Sequence, residues 1–102
     1  MRFFVVCRIP PGVSRRKVIK LIRDEARTVW NLYESGLVRE LFYLDELSGA
    51  ALSCEAESLD DVKKGVEMLP MVRDGLLVPE YIPLHPYTGF AKLFTKVEPV
   101  EA

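Results

Sequence analysis

One carboxylate stands where the pattern of a predicted helix should be apolar. When the residues after Gly12 are read at about 100° per residue, a set of apolar side chains falls on one face, with Glu25 at its centre. The set is Val18, Leu21, Ile22, Val29, Leu32 and Tyr33. A carboxylate turned inward loses solvation, which raises its pKa unless a cation or donors compensate. Such carboxyl groups act as general acids and bases, so Glu25 is a candidate for proton transfer.

Four further side chains are candidates for binding a substrate. Arg39 and Tyr43 share one face of a predicted strand, where Arg39 suits an oxyanion and Tyr43 suits an enolate oxygen. For Arg39, an ion pair with Glu25 or with a surface acid is as much expected as a role in substrate binding. His85, the only histidine, titrates in a range that suits proton transfer, although a lone histidine at a strand end is more often structural. Trp30 borders the apolar stripe and suits either core packing or a pocket wall.

The first half of the chain should form a strand followed by a long helix. Aromatic and β-branched residues predict a strand over residues 2–9, which the Pro-Pro-Gly sequence at 10–12 ends. An amphipathic helix should begin at a Ser14 cap and run to about Ser35. Gly36 stands where a glycine typically ends a helix.

The second half should complete a β-α-β-β-α-β order. Strands are predicted over about 37–45 and 50–57. A short helix capped by Ser58 and Asp61 follows, and we expect Pro70 to end it. The last strand, over about 77–84, contains two prolines, which make it an edge strand or a bulged strand. This order predicts a ferredoxin-like α+β fold with a four-stranded antiparallel sheet.

Composition limits the function. The 102 residues, 49% hydrophobic and 28% charged, suit one domain over 1–86 with a tail over 87–102. A net charge of -1 gives no bulk attraction for nucleic acid or anionic membranes, and no apolar run is long enough to span a bilayer. We expect a cytoplasmic protein without a metal site. Cys7 and Cys54 lack the spacing of zinc or redox sites and suit buried thiols, with a disulfide left open.

Self-association is expected from the same plan. Two helices on one side of the sheet leave its other apolar face uncovered, and a second subunit would cover it. The tail adds further apolar side chains after the last strand, namely Tyr87, Phe90, Leu93 and Phe94. We expect this tail to pack on a neighbouring subunit through a symmetric interface.

The chain resembles muconolactone isomerase and its small α+β barrel relatives over residues 16–86. The matching positions are Asp24-Glu25, Gly36 with the following hydrophobic pair and Arg39, Leu41, Ser58, Leu69-Pro70 and His85-Pro86. The resemblance implies subunits that pair their sheets into a dimeric α+β barrel, often within larger rings. It also implies a helix glutamate that moves a proton on an unsaturated lactone without metal or organic cofactor. Glu25 occupies that glutamate position.

Three departures from the family pattern bear on the substrate. Ile22 replaces a lysine, Tyr43 replaces an arginine, and Ala50 and Ala51 replace more polar residues. The implied pocket is less cationic, so we expect a more neutral or aromatic substrate. Related barrels include cofactor-free monooxygenases and polyketide cyclases, which is one alternative. Another is a non-catalytic, oligomeric small-molecule-binding protein in which Glu25 is a buried structural acid.

Overall fold

A computed structural model describes residues 1–95, and it confirms the predicted order of strands and helices. The strands are β1 (Arg2–Arg8), β2 (Val38–Tyr43), β3 (Gly49–Glu55) and β4 (Val78–Leu84). The helices are α1 (Arg15–Glu34), α2 (Leu59–Val66) and the short α3 (Pro70–Arg73), with 3₁₀ turns at Asp45–Leu47 and Gly89–Leu93. The last part of the predicted tail, residues 96–102, lies outside the described residues.

The four strands form one antiparallel sheet in the order β2-β3-β1-β4. This order, with the helices as crossovers, is the ferredoxin-like α+β arrangement that the sequence predicts. Strand β4 lies at an edge of the sheet. Its two prolines, Pro79 and Pro83, are tolerated there because an edge strand need not donate every backbone N–H.

The hydrophobic core lies between the helices and one face of the sheet, which we call the inner face. Phe3, Val5 and Cys7 alternate along β1 and are at most 1% exposed. Val62 and Val66 of α2 are fully buried in the same core. Side chains along a strand point alternately to opposite faces, so the strict alternation in β1 assigns each residue to one side of the sheet.

Helix α1 begins and ends close to the predicted positions. It ends before Gly36, whose φ of +88° is the left-handed conformation that glycine adopts most readily. Its inward face is narrower than the sequence pattern predicts. Leu32 is buried, whereas Ile22 and Tyr33 are 53% and 47% exposed. The expectation that these two side chains turn inward was therefore wrong, because the helix is rotated toward the side that carries Leu32.

The second helical region differs from the prediction at its end. The cap is confirmed, since the backbone N–H of Asp61 donates to Ser58 Oγ at 3.2 Å. Helix α2 ends at Val66, however, and Pro70 is the first residue of α3 rather than a terminator. Proline fits this first helical position because its missing N–H would have no helical partner there.

The other side of the sheet, which we call the outer face, carries none of the helices within residues 1–95 and exposes large apolar side chains. The strand register places Phe4, Phe42, Val78 and Ile82 on this side. They are 45%, 56%, 54% and 36% exposed, respectively. Ion pairs join Arg2 to Glu55 at 3.0 Å and Arg8 to Glu80 at 2.9 Å.

Candidate functional site

Glu25 lies on α1 and reaches α3 through its carboxylate. The backbone N–H of Met71 donates to Glu25 Oε1 at 3.0 Å. Met71 is the second residue of α3, and the residue before that helix, Leu69, gives no side-chain cap. Glu25 therefore satisfies a backbone donor at the start of α3 from 46 residues away in sequence. Within residues 1–95, this is the only hydrogen bond of the Glu25 carboxylate, and it leaves Oε2 without a protein partner.

The environment of Glu25 favours its neutral form. Burial raises the pKa of this carboxyl above its ordinary value, and the hydrogen bond from Met71 lowers it by a smaller amount. Burial disfavours the charged state because the protein interior solvates a charge less well than water does. A half-buried carboxyl with a raised pKa and one free oxygen takes up and releases a proton closer to neutral pH than an ordinary glutamate does.

Two thiols lie on the inner face near this carboxyl. Burial raises the pKa of Cys7 to about 11, and the charges of Glu25 and Cys54 add to the effect. Burial raises the pKa of Cys54 to about 11 as well. Both cysteines are therefore neutral thiols at neutral pH. They are free, and Cys7 is paired with Ala50, four residues along β3 from Cys54, a separation too large for a disulfide.

Tyr81 adds a hydroxyl to the same side of the sheet. It lies opposite Val5 on β4, and its hydroxyl oxygen is buried without a hydrogen-bond partner among the described residues. Burial raises the pKa of Tyr81 to about 12, and the charges of Glu67, Cys7 and Cys54 contribute smaller increases. The phenol is thus a neutral donor. A buried polar group without a partner costs about 1–3 kcal/mol, so it requires a reason.

The predicted pair on β2 is arranged differently from the sequence expectation. The register of β2 shifts between Val38 and Glu40, so the simple alternation breaks at Arg39. The Arg39 guanidinium Nε donates to the backbone oxygen of Gly36 at 2.6 Å and makes no hydrogen bond with Glu25. Tyr43 is 81% exposed. The structure does not bring either side chain into hydrogen-bonding contact with Glu25.

The other two predicted binding residues lie on the surface. Trp30 is 58% exposed on α1, with its ring centroid 5.8 Å from that of Tyr33. His85 is exposed and lines a surface cleft together with Met1, Arg2, Glu55, Leu84 and Pro86. A second surface cleft is lined by Lys17, Lys20, Leu21, Asp74 and Leu76. Neither of these two clefts is lined by Glu25.

The second cleft nevertheless lies close to the Glu25 contact. Leu21 is one helical turn before Glu25 on α1. Leu76 donates its backbone N–H to the carbonyl oxygen of Met71 at 2.8 Å, and Met71 in turn donates to Glu25. Two lysines, Lys17 and Lys20, stand at this cleft. The cleft therefore begins one helical turn from Glu25 and carries two lysines and one carboxylate, Asp74.

Comparison with solved structures gives the fold a name. 5-Chloro-2-hydroxyhydroquinone dehydrochlorinase (TftG) from Burkholderia phenoliruptrix AC1100, in complex with 2,5-dihydroxybenzoquinone, superposes with a TM-score of 0.71 at 20% identity, covering 87% of this chain and 98% of that one. Muconolactone isomerase superposes with a TM-score of 0.69 at 19% identity, covering 86% of this chain and 92% of the other. The chain has the muconolactone isomerase fold. No protein-family model and no curated protein matches the sequence.

Sequence reasoning missed two groups, the Met71 backbone N–H and the Tyr81 hydroxyl. The Met71 N–H is a backbone group, and its role depends on a helix start that only the folded chain defines. The sequence did contain a pattern that could have identified Tyr81. It lies two residues from each of Pro79 and Pro83 in the last predicted strand, so all three share one face. Within residues 1–95, no three His, Cys, Asp or Glu side chains are grouped as metal ligands. No helix in that range is long and apolar enough to cross a membrane.

Proposed function

We propose that this protein is a cofactor-independent, isomerase-like enzyme that moves a proton on a small unsaturated lactone, cyclic or carbonyl compound. The observation that carries this proposal is the half-buried Glu25 carboxyl, with its raised pKa and only Oε1 engaged by the protein. The fold shared with muconolactone isomerase and with a dehydrochlorinase that binds 2,5-dihydroxybenzoquinone supports a small unsaturated, oxygen-bearing ring as substrate.

The proposed reaction needs one carboxyl group in two protonation states. Ionised Glu25 takes a proton from a carbon next to a carbonyl, and the electron pair of that C–H bond moves into an enolate. Neutral Glu25 then returns the proton to a different carbon of the conjugated system, which gives the isomer and restores the carboxylate. The raised pKa supports both steps, because an acid that titrates nearer neutral pH both accepts and donates readily.

Donors on the inner face of the sheet would stabilise the enolate oxygen. Tyr81 supports this role because its buried phenol is neutral and has no partner within the described residues. Lys17 and Lys20 at the nearby cleft would attract an oxyanion on the substrate. Arg39, Tyr43, His85 and Trp30 remain predicted binding residues. Their role requires rearrangement on binding, or a second subunit, because each is exposed in the single chain.

We also propose that two copies pair their outer faces into a dimeric α+β barrel. The exposed Phe4, Phe42, Val78 and Ile82 support this assembly, since a broad apolar sheet face is seldom left in water. A second copy offers the same flat surface, and a twofold axis makes such a surface self-complementary.

Substitution of Glu25 tests the enzymatic proposal. Glu25→Gln keeps an oxygen that can accept from Met71 but cannot carry a proton, so the fold should persist while turnover falls by about 10²–10⁴-fold. Isomerisation of muconolactone methyl ester, a neutral unsaturated lactone, in D₂O and followed by NMR, measures both turnover and deuterium incorporation. Glu34→Gln is the matched control, because Glu34 lies on the same helix and is exposed. Full activity in Glu25→Gln would contradict the assignment.

A non-catalytic role is the second candidate, and the Met71 contact favours it. If Glu25 serves only to hold the start of α3, Glu25→Ala should destabilise the fold, because the Met71 N–H loses its acceptor. If this role is correct, the wild-type protein binds 2,5-dihydroxybenzoquinone in a calorimetric titration but catalyses no deuterium exchange into muconolactone methyl ester. Oxygen consumption during either assay would instead indicate a cofactor-free monooxygenase.

A further inference from the structure

Helix α1 carries a second apolar surface that the core does not use. Four large side chains form it, which we call the α1 stripe: Ile19, Ile22, Trp30 and Tyr33. They are 57%, 53%, 58% and 47% exposed. At 100° per residue they fall within a sector of about 80°, beside the face that holds Leu32 and Glu25. A contiguous exposed patch of this kind marks an interaction site more often than a solvated helix face.

The segment after β4 is also apolar and exposed. Tyr87, Phe90, Leu93 and Phe94 are 74%, 67%, 76% and 85% exposed. Tyr87 and Phe90 pack edge to face with ring centroids 4.9 Å apart, around the 3₁₀ turn at Gly89–Leu93. The segment is thus locally ordered, but its large apolar side chains remain exposed in the single chain.

The dimensions of the chain show that this segment does not fold back onto its own domain. The molecule measures 59 × 31 × 20 Å, and its radius of gyration is 17.8 Å. A compact chain of this length has a radius of about 13 Å. The segment therefore extends from the body and exposes its aromatic rings to whatever lies beside it.

We propose that residues 86–95 of one copy lie along the α1 stripe of a second copy, and that the two copies exchange these segments reciprocally. The lengths agree. The fifteen helical residues from Ile19 to Tyr33 span about 21 Å. A ten-residue segment with a five-residue 3₁₀ turn and extended flanks spans about 25 Å.

The area that such an exchange buries is enough for a stable dimer. The stripe and the segment together present eight large apolar side chains, each about half exposed or more. At roughly 100 Å² each, one docked segment removes about 800 Å² from water, and the reciprocal pair removes about 1,600 Å², the size of a standard specific interface. The stripe is a narrow ridge that suits a linear segment, whereas the outer face is broad and suits a second sheet.

Trp30 makes this proposal directly testable, because it is the only tryptophan of the chain and lies on the stripe. In the full-length protein, its fluorescence should be blue-shifted and poorly quenched by acrylamide. The double variant Phe90→Asp with Phe94→Asp should shift the emission to the red and raise the quenching constant several-fold. Tyr43→Asp is the control, since Tyr43 is equally exposed but belongs to β2. Circular dichroism checks that each variant is folded.

A mixing experiment separates exchange between copies from docking within one chain. The double variant at Phe90 and Phe94 retains an intact stripe and its Trp30. A second chain, with Ile22→Asp and Trp30→Phe, retains an intact tail but no reporter. Exchange predicts that adding the second chain restores protection of the only Trp30 present. If adding the second chain does not restore this protection, or if acrylamide quenches the wild type and the double variant equally, the proposal is overturned. The proposal does not depend on the chemistry of Glu25.

Discussion

The two faces of the sheet use the same strands for different purposes. In β1, Phe3 and Val5 point to the inner face and are at most 1% exposed, whereas Phe4, between them, is 45% exposed on the outer face. The inner face meets the helices and contains the titratable groups around Glu25. The outer face contains exposed apolar side chains and the ion pairs Arg2–Glu55 and Arg8–Glu80. Because side chains alternate along each strand, the proposed chemistry lies on the inner face and the proposed pairing of sheets on the outer face.

The comparison also shows where burial changes the behaviour of a side chain. Burial raises the pKa of Cys7 to about 11, and it raises the pKa of Glu25 as well. On the other side, Glu55 is partly exposed, and hydrogen bonds from the N-terminal amine and from Arg2 lower its pKa. The pKa values of the two glutamates thus shift in opposite directions. Desolvation raises that of Glu25, and nearby cations lower that of Glu55.

The largest expected effect comes from placing a charge on the outer face. In the proposed dimer, Phe42→Asp would bury a carboxylate without a partner and weaken association by about 2–4 kcal/mol, or roughly 30- to 1,000-fold. Sedimentation equilibrium measures the dissociation constant. Asp at Tyr43, the next residue along β2, is the control. If Phe42→Asp leaves association unchanged, the outer face is not the dimer interface.

A matched pair of substitutions in β1 should give the next largest effect. Val5 is fully buried on the inner face, and Val6, partly exposed, is its neighbour on the outer face. Val5→Ala removes two methyl groups from a packed core and should lower the free energy of unfolding by about 2–3 kcal/mol. Val6→Ala should cost less than about 1 kcal/mol at concentrations where the chain is monomeric. Urea unfolding measures both, and equal costs would show that the two faces are not distinct.

The smallest expected effect concerns the Tyr81 hydroxyl. Tyr81→Phe removes a buried donor that has no partner within the described residues, so stability should be unchanged or rise by up to about 1 kcal/mol. Tyr43→Phe, at an exposed position, is the control. Thermal unfolding distinguishes the outcomes. A loss of more than about 1 kcal/mol would mean that the hydroxyl is hydrogen-bonded in solution and is not available to a ligand.

Much of the fold could be predicted because its signals are local. Strand β1 has a run of aromatic and β-branched residues, Gly36 supplies the positive φ that ends α1, and Ser58 caps α2 through its own side chain. The two prolines of β4 predicted an edge strand or a bulged strand, and β4 lies at the sheet edge. Each of these rules depends on residues close together in sequence, so no knowledge of the tertiary structure was required.

The candidate site was predicted less completely because its contacts are long-range. Helical periodicity singled out Glu25, but nothing near it in sequence indicates that Met71 would be its donor. The register shift at Arg39 broke the alternation on which the predicted pairing of Arg39 and Tyr43 depended. Ile22 and Tyr33 were misassigned because a stripe of seven inward positions is wider than the contact that α1 makes with the sheet. Helix α1 has two adjacent apolar surfaces, one buried and one exposed, and the sequence pattern alone does not separate them.

The central claim is that Glu25 is a desolvated carboxyl suited to moving a proton, and a direct titration tests it. NMR of the side-chain carboxyl carbons, with Glu25→Gln used for assignment, follows the ionisation of each glutamate with pH. We predict that Glu25 titrates above the ordinary glutamate pKa of 4.5, because desolvation by burial outweighs the hydrogen bond from Met71. Since ionisation then costs more in the folded state than in the unfolded one, wild-type stability relative to Glu25→Gln should fall as pH rises between the unfolded and folded pKa values. A Glu25 carboxyl that titrates at or below the ordinary value would contradict the account.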